Sequence, residues 1–358
     1  MIRIFRAILL TLSITTVAWT AAQPTPVDVV YRSEYNIRGP WIARWLIAKL
    51  HPFDGSKYGK AFEYLRKSGL IDAQKVIRPE KVTDEQLHEV HTSSYVASLQ
   101  KKSIVARIVE ISLVKWLPNA LVQRYILDPM RYATQGTILG AQRAVQTGGV
   151  VFNLGGGYHH AKADNGEGFC VFSDIGLAIK ELWKTNPNLK IMVIDLDAHQ
   201  GNGVASLRNT VFKDNPNLAL FDMYNNHPNI YPHDKHAMRE HIRYAEPLRA
   251  GIGTDEYLKV LTNRLPAAMN EFKPNFVLYN AGTDIKAGDP LGAMNVSERG
   301  IVQRDAFVID TARARNIPTL VVTSGGYTQE SAGIIARSYA GIISRLTGKQ
   351  PATLLQVP

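Results

Sequence analysis

The chain has little cysteine and no repetition. Cys170 is its one cysteine in 358 residues, which excludes an intramolecular disulfide framework and a cysteine-rich zinc module. Heptads, fixed-period repeats and low-complexity tracts are absent, and so is any dense basic run of the kind that binds nucleic acid. Hence no nucleic-acid partner is expected, although the net charge is +10. That excess sits almost wholly in residues 1–150, which carry +9 against +1 in residues 151–358. It reads as scattered solvated charge, with attraction to a membrane surface as the weaker alternative. No acidic residue precedes Asp28.

What the N-terminus does have is Arg3 and Arg6, an apolar stretch from Ala7, then small residues and prolines. This is the layout of a secretory signal peptide cut after Ala22, leaving a mature domain of 23–358. The stretch is short for a membrane span and rich in Ser and Thr. Export, to a periplasm or outside the cell, is therefore the expectation. A membrane anchor and an organellar presequence are the alternatives.

Beyond the leader, near-continuous apolar runs at 150–154, 190–197, 218–224, 275–282 and 319–326 predict strands covered on both faces of a parallel sheet. Helical patterns at 173–185 and 298–316 alternate with them, the second capped at Ser297, and 55–145 reads as mainly helical. With no linker in sight, this predicts one α/β domain, a mainly parallel β-sheet flanked by helices on both faces.

Polar residues gather where those runs end. "GGGYHH" follows the run at 150–154, "DAHQGNG" contains Asp197 and His199, "GTDIKAGDP" contains Asp284, and "GGY" ends in Tyr327. Open parallel sheets bind ligands beyond the carboxyl ends of their strands. Within "VIDLDAHQGNG" (193–203), Asp195, Asp197 and His199 are spaced two apart, so on an extended strand they share one side. Two buried carboxylates need a compensating cation or proton, and a metal is the economical choice. Asp197, His199 and Asp284 are the candidate ligands, with one position left for water. His159 and His160 point apart on an extended segment, so one orients or protonates while the other deprotonates water. Asp195 is placed to orient a histidine. Tyr327 is a candidate donor to a developing oxyanion, and Gly157, Phe169 and Tyr231 are candidate linings of a narrow substrate passage.

The segments "NLGGGYHHAKADNGEGFCVFSDIGLAI", "VIDLDAHQGNG", "YNAGTDIKAGDPLG" and "VTSGGY" resemble the zinc-dependent histone deacetylases, of the arginase/deacetylase fold. "DAHQGNG", "HPFDGSKYGK" (51–60) and "LPNALVQR" (117–124) are most similar to the class IV branch. The resemblance implies that Asp197, His199 and Asp284 hold Zn2+. It implies His160 as general base, His159 as electrostatic partner or acid backed by Asp195, and Tyr327 as oxyanion donor. It also implies K+ near Asp195 and Asp222, and Phe169 and Tyr231 flanking an acyl-lysine tunnel. The implied activity is hydrolysis of the amide of N-acyl-lysine in a peptide or protein, including long-chain acyl groups that class IV relatives prefer.

The sequence departs from many relatives at Gln200 (His there) and at Asn202 (Asp there), which predicts a weaker base at His160. His233 follows Pro232 where relatives tend to carry Gly. Segment 38–48 reads as a core helix, or as an acyl-binding flap. Two rivals stay open: an amidohydrolase of acetylated polyamines or other small acetylated amines, and a non-catalytic acyl-lysine-binding protein of the same fold.

Overall fold

A computed structural model describes residues 25–37 and 54–352. The leader and the 38–48 segment lie outside the described residues. Seven strands run β1 (Val27–Val30), β2 (Val150–Asn153), β3 (Ile191–Asp195), β4 (Leu218–Asn225), β5 (Tyr244–Leu248), β6 (Phe276–Asn280) and β7 (Thr319–Val322). They form one sheet in the order β1-β2-β7-β6-β3-β4-β5, with every neighbouring pair parallel. The single α/β domain expected from the alternation of runs is therefore what folds.

Both faces of the sheet are covered, which is why the strands lack polar alternation. In β3, Met192 and Ile194 join one core while Ile191 and Val193 join the other. The first core receives α1 (Lys57–Lys67), α5 (Thr254–Phe272), α6 (Glu298–Arg313) and α7 (Ser331–Thr347). The second receives α2 (Asp128–Thr147), α3 (Asp174–Thr185) and α4 (Asn202–Thr210). Ser297 caps α6 as expected, its hydroxyl accepting from the Gly300 amide. Among the described residues, no helix is long and apolar enough to cross a membrane.

Three expectations need correction. Strand β3 stops at Asp195 and β7 at Val322, so Asp197, His199 and Tyr327 stand on loops. Edge strands β1 and β5 escape notice because each is short and interrupted, by Asp28 in one and by Glu246 and Pro247 in the other. His159 and His160 occupy a turn, so the rule for extended residues does not separate them.

Candidate active site

The site lies over the carboxyl ends of β2, β7, β6, β3 and β4. Sheet register begins it. Asp195 pairs with Asp222 of β4 on one side and with Asn280 of β6 on the other. One oxygen of Asp195 then accepts from the Asn280 side chain at 2.9 Å and from the Asp197 amide at 3.2 Å. Asp197 repeats the pattern two residues on, accepting from the His199 amide at 3.1 Å. These successive side-chain-to-backbone bonds turn the chain. The shared-side strand argument thus reaches the right neighbours for the wrong reason: Asp197 and His199 converge through a loop built on aspartates.

Asp284 arrives from the loop after β6. The ligand atoms of Asp197, His199 and Asp284 all lie within 4.8 Å of one another, and all three residues are buried. Each carboxylate is half committed. Asp284 Oδ1 accepts from the Ala198 amide at 2.8 Å, and Asp197 Oδ2 accepts from Ser324 Oγ and the Gly325 amide at 3.0 Å. The remaining oxygens face His199 Nδ1 at 3.0 and 3.1 Å. Burial pulls the His199 imidazole down, yet the two carboxylates raise it well above its ordinary value. Burial and Asp197 together push Asp284 up to about 7. Such a cluster calls for positive charge. A divalent cation, for which the imidazole would be a neutral ligand, fits the donor set.

Beside it, Asp222 lies against Asp195. Its Oδ2 accepts from the Gly201 amide at 2.9 Å, while its buried Oδ1 has no hydrogen-bond partner. Burial first, then the charge of Asp195, raises the Asp222 carboxyl well above the carboxylate range. The orphaned oxygen and the adjacent carboxylates fit a monovalent cation such as potassium.

The two histidine rings touch at a tilt of 44°, with centroids 4.0 Å apart, and their partners divide them. His159 Nδ1 meets Asp195 Oδ2 at 2.8 Å, and its Nε2 lies 3.8 Å from Asp197 Oδ1. His160 Nδ1 meets Asn202 Oδ1 at 2.7 Å. Burial depresses both, but Asp195 and Asp197 lift His159 to about 9. His160 is held well below its ordinary value by burial and by the charges of His159 and His199. The two imidazoles are thus pushed in opposite directions, one toward the cationic form and the other toward the neutral form.

A cavity of about 310 Å³ opens above these groups, walled by Phe169, Tyr231, Leu291 and Tyr327, with His160 and His199 at its floor. Tyr231 stands edge-on to His160 at 4.7 Å between centroids. Burial and the nearby Asp284 and Asp197 push the Tyr327 phenol well above its ordinary value, so it stays protonated. Behind it is a smaller cavity of about 40 Å³, to which Gly157, Tyr35, Met130 and Cys170 contribute. Gly157 has φ +85°, and a Cβ there would stand 2.4 Å from Asn280 Oδ1. All candidate residues of the sequence reading except Asp195 and Asp222 line these cavities or form the buried triad; those two sit one layer below.

Three residues escaped the sequence reading. Lys57 of α1 is buried and donates to the Ser324 carbonyl at 2.8 Å and to that of Gly326 at 3.4 Å. Burial lowers its amine to about 8 despite Asp284 and Asp197. Arg304 of α6 is fully buried under the ligand loops. Glu110, at φ +56°, is the carboxylate of the outer cavity's rim. In sequence each looks like an ordinary surface charge on a helix or turn, and nothing local marks it. The two departures from the family pattern also find partners in adjacent residues at the start of a short helix. Gln200 donates to the Lys235 carbonyl at 3.1 Å and Asn202 donates to Asp234 Oδ1 at 2.8 Å. His233 is exposed there, its ring 6.1 Å from that of Tyr231.

Comparison with known proteins agrees with this geometry. The family described as histone deacetylase domain matches residues 51–343. Histone deacetylase 2 of Arabidopsis thaliana is 42% identical over 312 residues, 87% of this chain and 77% of that protein. An uncharacterized protein of Picosynechococcus sp. is 30% identical over 292 residues, 81% of this chain and 91% of its own. Among solved structures, the crystal structure of the HDA15 HD domain superposes with a TM-score of 0.71 at 21% identity, covering 92% of this chain and 91% of that one. The chain belongs to the histone deacetylase family of amide hydrolases.

Proposed function

We propose that the protein hydrolyses the side-chain amide of N-acyl-lysine in peptides or proteins, with zinc held by Asp197, His199 and Asp284. The observation that carries this reading is His160 beside a buried Asp–His–Asp triad, in an aromatic-walled cavity. When bound, zinc would supply Lewis-acid polarisation of the acyl carbonyl and ease ionisation of the attacking water.

The chain's own residues do the rest. Phe169 and Tyr231 flank the apolar lysine stem. His160 Nε2 takes a proton from water, and cationic His159 stabilises developing negative charge and protonates the departing amine. The Tyr327 hydroxyl donates to the oxyanion. Potassium between Asp195 and Asp222 would neutralise the layer beneath His159. Among the described residues that line this cavity Glu110 is the one carboxylate, sparse for a polycationic amine, which favours acyl-lysine over acetylated polyamines as substrate.

The "DAHQGNG" and "LPNALVQR" segments support a class IV-like enzyme that accepts long acyl chains. The leader supports action outside the cytoplasm after cleavage, which makes histones of the same cell unnecessary as substrates. The test is turnover of one lysine peptide carrying acetyl, octanoyl or myristoyl groups, with and without a zinc chelator. Chelator-sensitive release is expected, rising with chain length. Turnover of acetyl alone would remove the class IV reading, and a zinc-loaded protein inert on all three would overturn the activity. An intact leader on cytosolic protein would overturn the location.

A further inference from the structure

Asparagine is nearly symmetric in shape, and an amide beside an imidazole can present either its oxygen or its NH2 group. At Asn202 the surroundings decide which. The residue is fully buried at the start of α4. Its Nδ2 donates to Glu167 Oε1 at 2.7 Å and to Asp234 Oδ1 at 2.8 Å, so both amide protons are taken by carboxylates. Only the oxygen is left for His160 Nδ1, at 2.7 Å. Lys162 Nζ bridges the same two carboxylates at 3.0 and 2.7 Å, which balances their charge.

We infer that Glu167 and Asp234 are positioning residues that act through Asn202: they lock its amide so that the imidazole proton of His160 sits on Nδ1 and Nε2 is left open as the base. This rests on the role proposed for His160. It also revises the expectation of a weaker base. The carboxylate that many relatives place at 202 is not lost here but stands one hydrogen bond farther out, twice, on a neutral linker. The two carboxylates belong to the segments that wall the substrate cavity, Glu167 two residues before Phe169 and Asp234 three after Tyr231. Seating of the lysine stem and the tautomer of the base therefore share the same supports.

A purely structural role predicts similar losses for any disturbance, whereas this one predicts a reversal of sign. Asn202→Asp alone sets a third carboxylate against Glu167 and Asp234. It should lower kcat about tenfold, well inside the range general-base catalysis supplies. In a Glu167→Gln, Asp234→Asn background the same Asn202→Asp change should raise kcat relative to that background, because the new carboxylate meets neutral amides. Both effects should fall on kcat, with KM within about threefold. An Asn202→Asp effect of the same sign and size in both backgrounds would overturn the inference.

The second readout needs no substrate. In the zinc-loaded full chain with 15N-labelled histidine, the parent should show the His160 proton on Nδ1. A Glu167→Ala, Asp234→Ala variant should shift it partly or wholly to Nε2 as Asn202 becomes free to flip. An unchanged tautomer in a folded variant would also overturn the inference. If the parent hydrolyses no acyl-lysine, the functional reading fails, while the tautomer measurement still decides this one.

Discussion

Arg304 donates through Nη1 to the carbonyl of Leu196, the residue between Asp195 and Asp197, at 3.0 Å. The same nitrogen reaches the Gly282 carbonyl at 2.6 Å, and Nη2 reaches that of Ala281 at 3.3 Å. One buried guanidinium on α6 thus ties the end of β3 to the end of β6, the two loops that carry the triad. Its charge is balanced by Asp305, which also accepts from Tyr279 and Ser338 at 2.5 Å each. A planar, permanently charged donor suits three carbonyls better than lysine would.

Arg304→Met should therefore cost on the order of 3–5 kcal/mol of stability, since Asp305 is left buried without its cation. Denaturant unfolding measures this. Zinc affinity should fall with it, because the two ligand loops lose their common brace. Adding Asp305→Asn should recover part of the stability but not the affinity. Parental stability and metal content in Arg304→Met would show the brace to be dispensable.

Asp284→Ala removes one of the inward-facing oxygens and the acceptor for the Ala198 amide. Loss of even an outer partner of a metal ligand lowers affinity by roughly 10–100-fold, so loss of a ligand should exceed tenfold. Metal analysis after dialysis should find the variant largely stripped where the parent retains zinc, with turnover lost in parallel. Full zinc retention would remove Asp284 from the ligand set.

Tyr327→Phe keeps the ring beside His199, 6.3 Å between centroids, and deletes only the hydroxyl. Zinc content should match the parent. Turnover should fall on the order of 10²–10³-fold, the range seen when one oxyanion donor is removed. An undiminished rate would remove the oxyanion role, and lost zinc would reassign the tyrosine to structure.

Gly157→Ala tests the passage behind the triad. The backbone has φ +85°, and the new methyl would stand 2.4 Å from Asn280 Oδ1 and 2.8 Å from Ser324 Cβ. Overpacking plus an unfavourable φ should cost about 1–3 kcal/mol. Because Asn280 also donates to Asp195, kcat should drop as the support of His159 shifts. Parental stability and rate would mean the loop yields freely.

Much of this was legible along the chain. Five interior strands announce themselves because burial on both faces makes each run apolar up to the polar residues near its carboxyl end. The chemistry-bearing residues are legible too, because a parallel sheet delivers its loops to one end, and polar residues at several strand ends must then meet. The edge strands were not legible: with one neighbour each, β1 and β5 tolerate Asp28, Glu246 and Pro247, and their signal drops into that of a loop.

By itself, then, the sequence determined the layered fold and which polar residues gather at the strand ends, since periodicity and the positions of strand ends are properties of a line. Partnerships across space are not. That Asp195 meets His159 while Asp197 belongs to the triad follows from where β3 ends and how its aspartates cap the turn. That His159 is pushed up and His160 down follows from which carboxylates stand within reach. The carbonyls held by Arg304 and Lys57, and the clamp of Glu167 and Asp234 on Asn202, lie 22 to 269 residues away from their partners. Only tertiary packing brings such charges out of water and against one another, and only there does their pairing acquire enough energy to decide what each group does.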